Sequence, residues 1–269
     1  MRPKYLSRFL LKEDWRILAA IAVGLMIAAG CFFDLIEDLN AHDPLIWPDY
    51  ATYVSLQRLR TVRLDSLMIA ITELGDSFVV VTLTLTVGSW LLWRRAKRTL
   101  AYWLAAMAGG SLINTAIKIA LHRARPTDLH YSGWNAFSFP SGHSTTNALL
   151  YGFVAIFILR QSSPYWRVPI GVCASLWVMA IGFSRLYLGA HWLSDVVGGL
   201  VFGSLWLTLL ARFYFYQPAE PLDVRQLALL VALTLAVAGG IHIALDHAAD
   251  TQNYTVNPCL ASPHIACDK

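Results

Sequence analysis

A chain of 269 residues that is 57% hydrophobic and only 14% charged, with a formal net charge of +4, is too apolar for a soluble domain of its length. This balance excludes a soluble domain and places the chain in a membrane. A bilayer core takes roughly 20 mostly apolar residues per helix.

The first apolar stretch, 17–36, follows Arg2, Lys4, Arg8, Lys12 and Arg16. A cleaved signal peptide is one reading of it, and Ala28-Ala29-Gly30-Cys31 loosely matches a lipoprotein processing site, without the leucine expected three residues before the cysteine. The stretch exceeds a signal core of roughly 7 to 15 residues, so a retained helix is expected. Further stretches run over 77–93, 99–121, 144–160, 168–187, 192–214 and 226–245, each bounded by charges, prolines or aromatic residues. Val79–Val87 is β-branched enough for a strand in water, but in lipid only a helix or a closed barrel satisfies the backbone, and barrel alternation is absent. The expected fold class is all-α, a polytopic transmembrane helical bundle of six core helices plus a seventh. It divides into an N-terminal segment 1–16, a membrane domain 17–245 and a polar tail 246–269.

With the N-terminus cytoplasmic, most basic residues fall on inner segments: 1–16, Arg94 to Arg98, Arg160 to Arg167 and Arg212 to Arg225. This satisfies the positive-inside rule. The outer side then receives 37–76, 122–143, 187–191 and the tail. Within 37–76, Trp47, Tyr50, Tyr53, Val54 and Leu56 with Arg58, Arg60 and Arg63 suit an amphipathic helix in the headgroup layer, or equally an irregular loop. Cys31 and Cys173 read as small apolar residues, whereas Cys259 and Cys267 in the outer tail are placed where a disulfide is able to form.

Ionisable groups in or at the ends of membrane helices are expensive and mark functional candidates. They cluster on the outer side: Lys118 at the outer end of the third stretch, followed by His122, Arg123 and Arg125, then Ser141, Gly142 and His143 before the fourth, and Arg185, His191 and Asp195 across the fifth-to-sixth junction. Lys118 and Arg125 are seven apart, on one face if the helix continues to Pro126. Pro140-Ser141-Gly142-His143 opens a helix whose first N–H groups point at an anion. His191 and Asp195, at i and i+4, allow the carboxylate to fix the imidazole tautomer. Arg185 supplies a guanidinium suited to phosphoryl oxygens.

At these residues the chain resembles the type 2 phosphatidic acid phosphatase superfamily. Its three signatures stand here as Lys118 to Pro126 (KIALHRARP), Pro140 to His143 (PSGH) and Ser184 to Asp195 (SRLYLGAHWLSD), in the family's order. The resemblance covers roughly residues 110–200, and the seventh helix and tail depart from the family's six-helix pattern. It implies that His191 attacks phosphorus to form a phosphohistidine, that Asp195 orients it, and that His143 protonates the leaving oxygen. Lys118, Arg125 and Arg185, with Ser141 and the Gly142 amide, would bind the phosphoryl oxygens. No metal and no cofactor are implied.

Outside the signatures, His122 and His130 read as solvated or headgroup contacts, and Asp128 and Arg123 as loop surface, with Arg123 touching a second phosphate if the substrate is a diphosphate. Thr72-Glu73-Leu74-Gly75-Asp76 reads as a helix cap, or as a side wall of the site. His242, Asp246 and His247 read as interfacial, and the tryptophans at 90, 93, 103, 166, 192 and 206 as an interface belt. The function expected is hydrolysis of a membrane lipid phosphate or diphosphate in a bacterial inner membrane. Undecaprenyl diphosphate comes first among substrates, on family frequency and outward placement, followed by phosphatidylglycerol phosphate, phosphatidic acid and lipid A phosphate. A lipid phosphotransferase and a non-enzymatic lipid-phosphate binder or transporter are the alternatives, and no nucleic-acid partner is expected.

Overall fold

The computed structural model describes residues 46–127 and 133–254, and among them every regular element is a helix. The 17–36 stretch, Cys31, Asp128, His130, Cys259 and Cys267 lie outside the described residues. Helix α1 covers Ile46–Arg58, α2 Val62–Glu73 and α3 Ser77–Trp93. Helix α4, Lys97–Leu104, runs through a π-helical turn, Ala105–Gly109, into α5, Gly110–Leu121. Helix α6 is Gly142–Gln161, α7 Pro164–Tyr187, α8 Leu193–Tyr216 and α9 Val224–Asn253.

Six segments of the described residues are long and apolar enough to cross a bilayer: 62–93, 97–121, 142–161, 164–187, 193–216 and 224–253. Their outer surface is apolar too. Leu85, Leu112, Val168, Leu176, Leu229 and Leu245 are each more than half exposed, which only lipid would cover without penalty. The chain is therefore a multi-pass transmembrane helical bundle. The seventh stretch of the sequence is present as α9, which continues to Asn253 rather than ending at 245, so the first residues read as a polar tail are helical.

Helix α6 is the central element, and α8 lies tight against it because glycines leave room for the backbone. A Cβ on Gly199 would stand 2.7 Å from the Ser141 carbonyl oxygen, and one on Gly203 would stand 3.0 Å from Ala148 Cβ. Polar side chains add to this contact: Asn114 Nδ2 donates to Thr145 Oγ1 at 3.0 Å, and Thr145 Oγ1 donates to the Gly199 carbonyl at 3.2 Å. Three helices, α5, α6 and α8, are thereby pinned at one level.

Three tryptophans assigned to an interface belt pack into the bundle: Trp90 and Trp103 are buried and Trp206 is half-buried. Trp103 is fully buried and donates to the Thr84 carbonyl at 3.0 Å. Trp206 donates to Ala105 O at 3.2 Å, at the π-helical turn, where its indole lies against Gly109. Trp93 and Trp166 are exposed as a belt requires.

Of the two readings of the 37–76 segment, a helix or an irregular loop, α1 is the helix, and with the start of α2 it closes one end of the bundle. Gln57 Nε2 donates to the Tyr187 carbonyl at 3.1 Å, and Thr61 N donates to the Tyr187 hydroxyl at 3.2 Å. Helix α1 buries polar Asp49 and Gln57 and exposes Tyr50, the reverse of a helix that dips an apolar face into lipid. It docks on protein. The α3–α4, α6–α7 and α8–α9 connections fall at the other end, where Arg94, Arg95, Lys97, Arg98, Arg167 and Arg225 collect.

Candidate active site

Helix α7 ends at Tyr187, and the chain reverses at Gly189, whose φ of 69° is a left-handed value that favours glycine. A Cβ there would also crowd the Tyr53 ring at 3.1 Å and Gln57 Nε2 at 3.2 Å. The turn sends His191 into the bundle before α8 begins, and His191 is buried. Asp195, in the first turn of α8, accepts the Trp192 amide at 2.9 Å and faces His191 Nδ1 at 3.3 Å, both through Oδ2. One carboxylate oxygen thus caps its own helix and holds the imidazole.

The other ring nitrogen, Nε2, lies 3.1 Å from Arg125 Nη1. A guanidinium only donates, so Nε2 accepts and the proton resides on Nδ1, facing Asp195. Burial, reinforced by Arg125, Arg185 and Lys118, holds the His191 imidazole well below its ordinary pKa. The ring is neutral at pH 7, with its free lone pair on Nε2.

Lys118 and Arg125 converge by a route different from the one their spacing suggests. Helix α5 stops at Leu121, because His122 adopts φ 49°, so Arg125 is not on the helix face. The chain instead folds back, and both cations reach the 135–137 carbonyls. Lys118 Nζ donates to Phe137 O at 2.7 Å, Arg125 Nη2 to Asn135 O at 2.7 Å, and Arg125 Nη1 also to Ala190 O at 2.7 Å. Arg185, almost wholly buried, donates through Nη1 to Thr72 Oγ1 at 3.0 Å and to the Tyr254 hydroxyl at 2.8 Å.

Lys118, Arg125, Gly142, His143, Arg185 and His191 line one cavity of about 310 Å³, which Asp76 and Trp134 help to close. Gly142 and His143 occupy the first turn of α6, where amides have no carbonyl of their own helix to donate to. Ser141 is not brought to this wall. It is fully buried behind it, its hydroxyl accepts the Ser144 amide as the cap of α6, and its own amide donates to Asp195 O at 2.9 Å. Its burial behind the wall, not the cap bond, keeps the hydroxyl from the cavity.

Arg123 is likewise not loop surface. It pairs with Asp195 Oδ1 and with Asp49 Oδ2, and Nη1 donates to Ser194 Oγ at 2.6 Å. Asp49 is buried and accepts the Ser194 amide at 2.8 Å. Nor are the polar residues of α9 merely interfacial: His242 Nε2 lies 3.7 Å from Asp76 Oδ1, and His247 Nδ1 lies 3.0 Å from Glu73 Oε2. Sequence reasoning missed Asp49 and Tyr254 altogether, since each acts on a partner far along the chain and neither stands in a signature, while Thr72 was read only within a run capping a helix or walling the site.

Three basic side chains around an oriented neutral imidazole, at the end of a membrane bundle, have the chemistry that suits a phosphoryl dianion, and the free Nε2 lone pair has that of a nucleophile. Fold and site together define a multi-pass membrane phosphatase. Comparison with known proteins agrees. The PAP2 superfamily model matches residues 99–219. Phosphatidylglycerophosphatase B of Bacillus subtilis is 30% identical over 158 residues, covering 58% of this chain and 77% of the relative. A lipid A 1-phosphatase of Rhizobium johnstonii is 37% identical over 125 residues, covering 43% of this chain and 47% of that protein. The crystal structure of a transmembrane PAP2-type phosphatidylglycerolphosphate phosphatase from Bacillus subtilis superposes with a TM-score of 0.63 at 27% identity, covering 74% of this chain and 98% of that one. The chain belongs to the PAP2 superfamily, and it is a membrane lipid phosphate phosphatase.

Proposed function

We propose that this protein removes the terminal phosphate of a lipid phosphomonoester at the outer face of a bacterial inner membrane, through a phosphohistidine on His191. The observation that carries the reading is the His191 ring, held at Nδ1 by Asp195 and presenting Nε2 to a cavity that Lys118, Arg125 and Arg185 line. The Nε2 lone pair forms a bond to phosphorus while the bond from phosphorus to the lipid oxygen breaks, and His143 gives that oxygen its proton. Arg125 turns its donor from Nε2 to a phosphoryl oxygen, and Asp195 balances the positive ring. Water then attacks phosphorus, His143 takes its proton, and the P–N bond returns its electrons to Nε2.

A phosphomonoester is favoured over a diphosphate by the engagement of Arg123. The cation that would have met a second phosphate is committed to Asp195 and Asp49. Phosphatidylglycerol phosphate and phosphatidic acid therefore come before undecaprenyl diphosphate. The outer placement is supported by the arginines and lysine at the bundle end away from the cavity.

The test is phosphate release by the purified protein in detergent with EDTA, from phosphatidylglycerol phosphate, phosphatidic acid and undecaprenyl diphosphate. Native protein should release inorganic phosphate without an acceptor lipid and pass through an acid-labile phosphoprotein. His191→Ala should abolish both. Release surviving in His191→Ala would overturn the mechanism, and a preference for undecaprenyl diphosphate would overturn the substrate assignment.

A further inference from the structure

The three signatures do not reach the cavity wall that Gly75, Asp76 and Ser77 contribute at the start of α3, which α9 backs through His242. Asp76 ends the turn between α2 and α3, and its Oδ1 accepts the Phe78 amide at 3.2 Å, capping α3. Its Oδ2 lies 3.6 Å from His143 Nε2, a buried atom without a hydrogen-bond partner at that separation. From α9, His242 approaches the same carboxylate, with Nε2 3.7 Å from Asp76 Oδ1 and Nδ1 2.7 Å from Asp246 Oδ2. His143, Asp76, His242 and Asp246 thus alternate in a string from the cavity to the half-exposed Asp246, across three helices.

Capping alone does not account for this arrangement. A helix cap needs one side-chain oxygen, and serine, threonine or asparagine supplies it as well as aspartate does. Here the second carboxylate oxygen is turned to His143. The cavity already holds Lys118, Arg125 and Arg185, and a further cation on the His143 ring is opposed unless an anion faces it. Asp76 is the acidic side chain on that wall.

We infer that Asp76, backed by His242 and Asp246 of α9, is a positioning residue that holds the His143 imidazolium in place to protonate the departing oxygen. This rests on the reading of His143 as the proton donor. Helix α9, which carries none of the three signatures, then contributes to the chemistry of the site.

A leaving-group comparison tests it. Phosphatidic acid releases an alkoxide that needs a proton, whereas 4-nitrophenyl phosphate releases a phenolate that does not. Asp76→Asn keeps a cap and removes the charge. It should lower the single-turnover rate of phosphoenzyme formation from phosphatidic acid by about 10- to 100-fold with little change in the half-saturating concentration, and lower the burst rate of 4-nitrophenolate release, which precedes the water step, by less than about threefold. His242→Ala should follow with a smaller effect of the same selectivity, and Asp76→Glu should recover part of the loss. An unchanged unfolding midpoint for Asp76→Asn in detergent shows that the helix is retained. Equal losses on both substrates, or none, would overturn the inference and leave Asp76 as a cap. His143→Ala separates the two levels. If it spares 4-nitrophenyl phosphate and Asp76→Asn does not, only the inference fails; if His143→Ala loses both substrates equally, the reading of His143 fails and takes the inference with it.

Discussion

Arg123 pairs with Asp195 through Oδ1, the carboxylate oxygen that His191 does not use. The imidazole is therefore oriented by a carboxylate that is itself clamped, with Asp49 of α1 closing the far side of the guanidinium. The order runs His191, Asp195, Arg123, Asp49, from the cavity to the helix that caps the bundle. Fixing the carboxylate fixes the ring, since Oδ2 also caps α8 through the Trp192 amide.

Arg123→Ala leaves two buried carboxylates facing each other without the charge between them. Breaking one side of a buried pair costs about 3–5 kcal/mol, and the unfolding midpoint in detergent should fall accordingly. Phosphate release should fall by more than about tenfold, because Asp195 loses its anchor. Arg123→Lys should recover only part, since an ammonium does not span both carboxylates as a planar guanidinium does. Full activity in Arg123→Ala would show that Asp195 orients His191 unaided.

The depressed pKa of His191 gives the fold a pH dependence of definite sign. In the unfolded chain the imidazole titrates near its ordinary value of about 6.5, and in the fold it titrates well below that. Between the two values the unfolded state binds a proton that the folded state does not, so stability rises with pH there. The contribution is complete above about 6.5 and is lost as pH falls toward the folded value. Unfolding midpoints measured from pH 5 to 8 should fall more steeply on acidification for the native chain than for His191→Asn. Parallel curves would contradict the burial seen here. On the proposed mechanism the acid limb of kcat/KM should also lie below pH 6.5.

Much of the bundle and six cavity residues were legible because their signals are local. Hydropathy over a helix length marks each span, and Lys118, Arg125, Gly142, His143, Arg185 and His191 sit in short patterns whose chemistry is visible in the residues themselves. What was not legible depends on distant partners. Arg123 stands two residues from Arg125 with the same chemistry, and only the position of Asp49, on a helix read as an amphipathic element or a loop, decides that it faces away from the cavity. Ser141 is ambiguous for another reason: a hydroxyl before a helix satisfies an amide or an anion equally well, and burial chose the amide. The end of α5 at Leu121 carried no glycine or proline signal, since His122 itself takes the left-handed conformation.

Tyr254, past the point where α9 was expected to end, donates no charge yet holds one. Its hydroxyl accepts from Arg185 Nη1 at 2.8 Å, and its carbonyl accepts from Arg60 Nη2. Tyr254→Phe removes the hydroxyl and keeps the ring, which lies 5.7 Å from the guanidinium carbon. A hydrogen bond to a charged group contributes about 1.5–3 kcal/mol, so kcat/KM should fall by about 10- to 100-fold, mostly through KM if Arg185 serves mainly to bind. An unchanged KM with reduced kcat would move Arg185 from binding to the transition state.

Gly199 tests whether the packing of α8 on α6 sets the site. An alanine there places Cβ 2.7 Å from the Ser141 carbonyl oxygen, a backbone atom that cannot swing aside as a side-chain tip does. That carbonyl accepts the Thr145 amide at 3.0 Å, and the Ser141 amide donates to Asp195 O at 2.9 Å, so the push falls on the turn that carries Gly142 and His143. Overpacking of this kind costs about 1–3 kcal/mol. Gly171, on α7, has nothing within 4 Å of its Cβ position, and alanine there should stabilise by about 0.5–1 kcal/mol from helix propensity. Gly199→Ala should therefore lower both the unfolding midpoint and phosphate release, while Gly171→Ala raises the first and leaves the second. If both variants behave alike, the close approach of α8 to α6 is not what holds the first turn of α6 at the cavity.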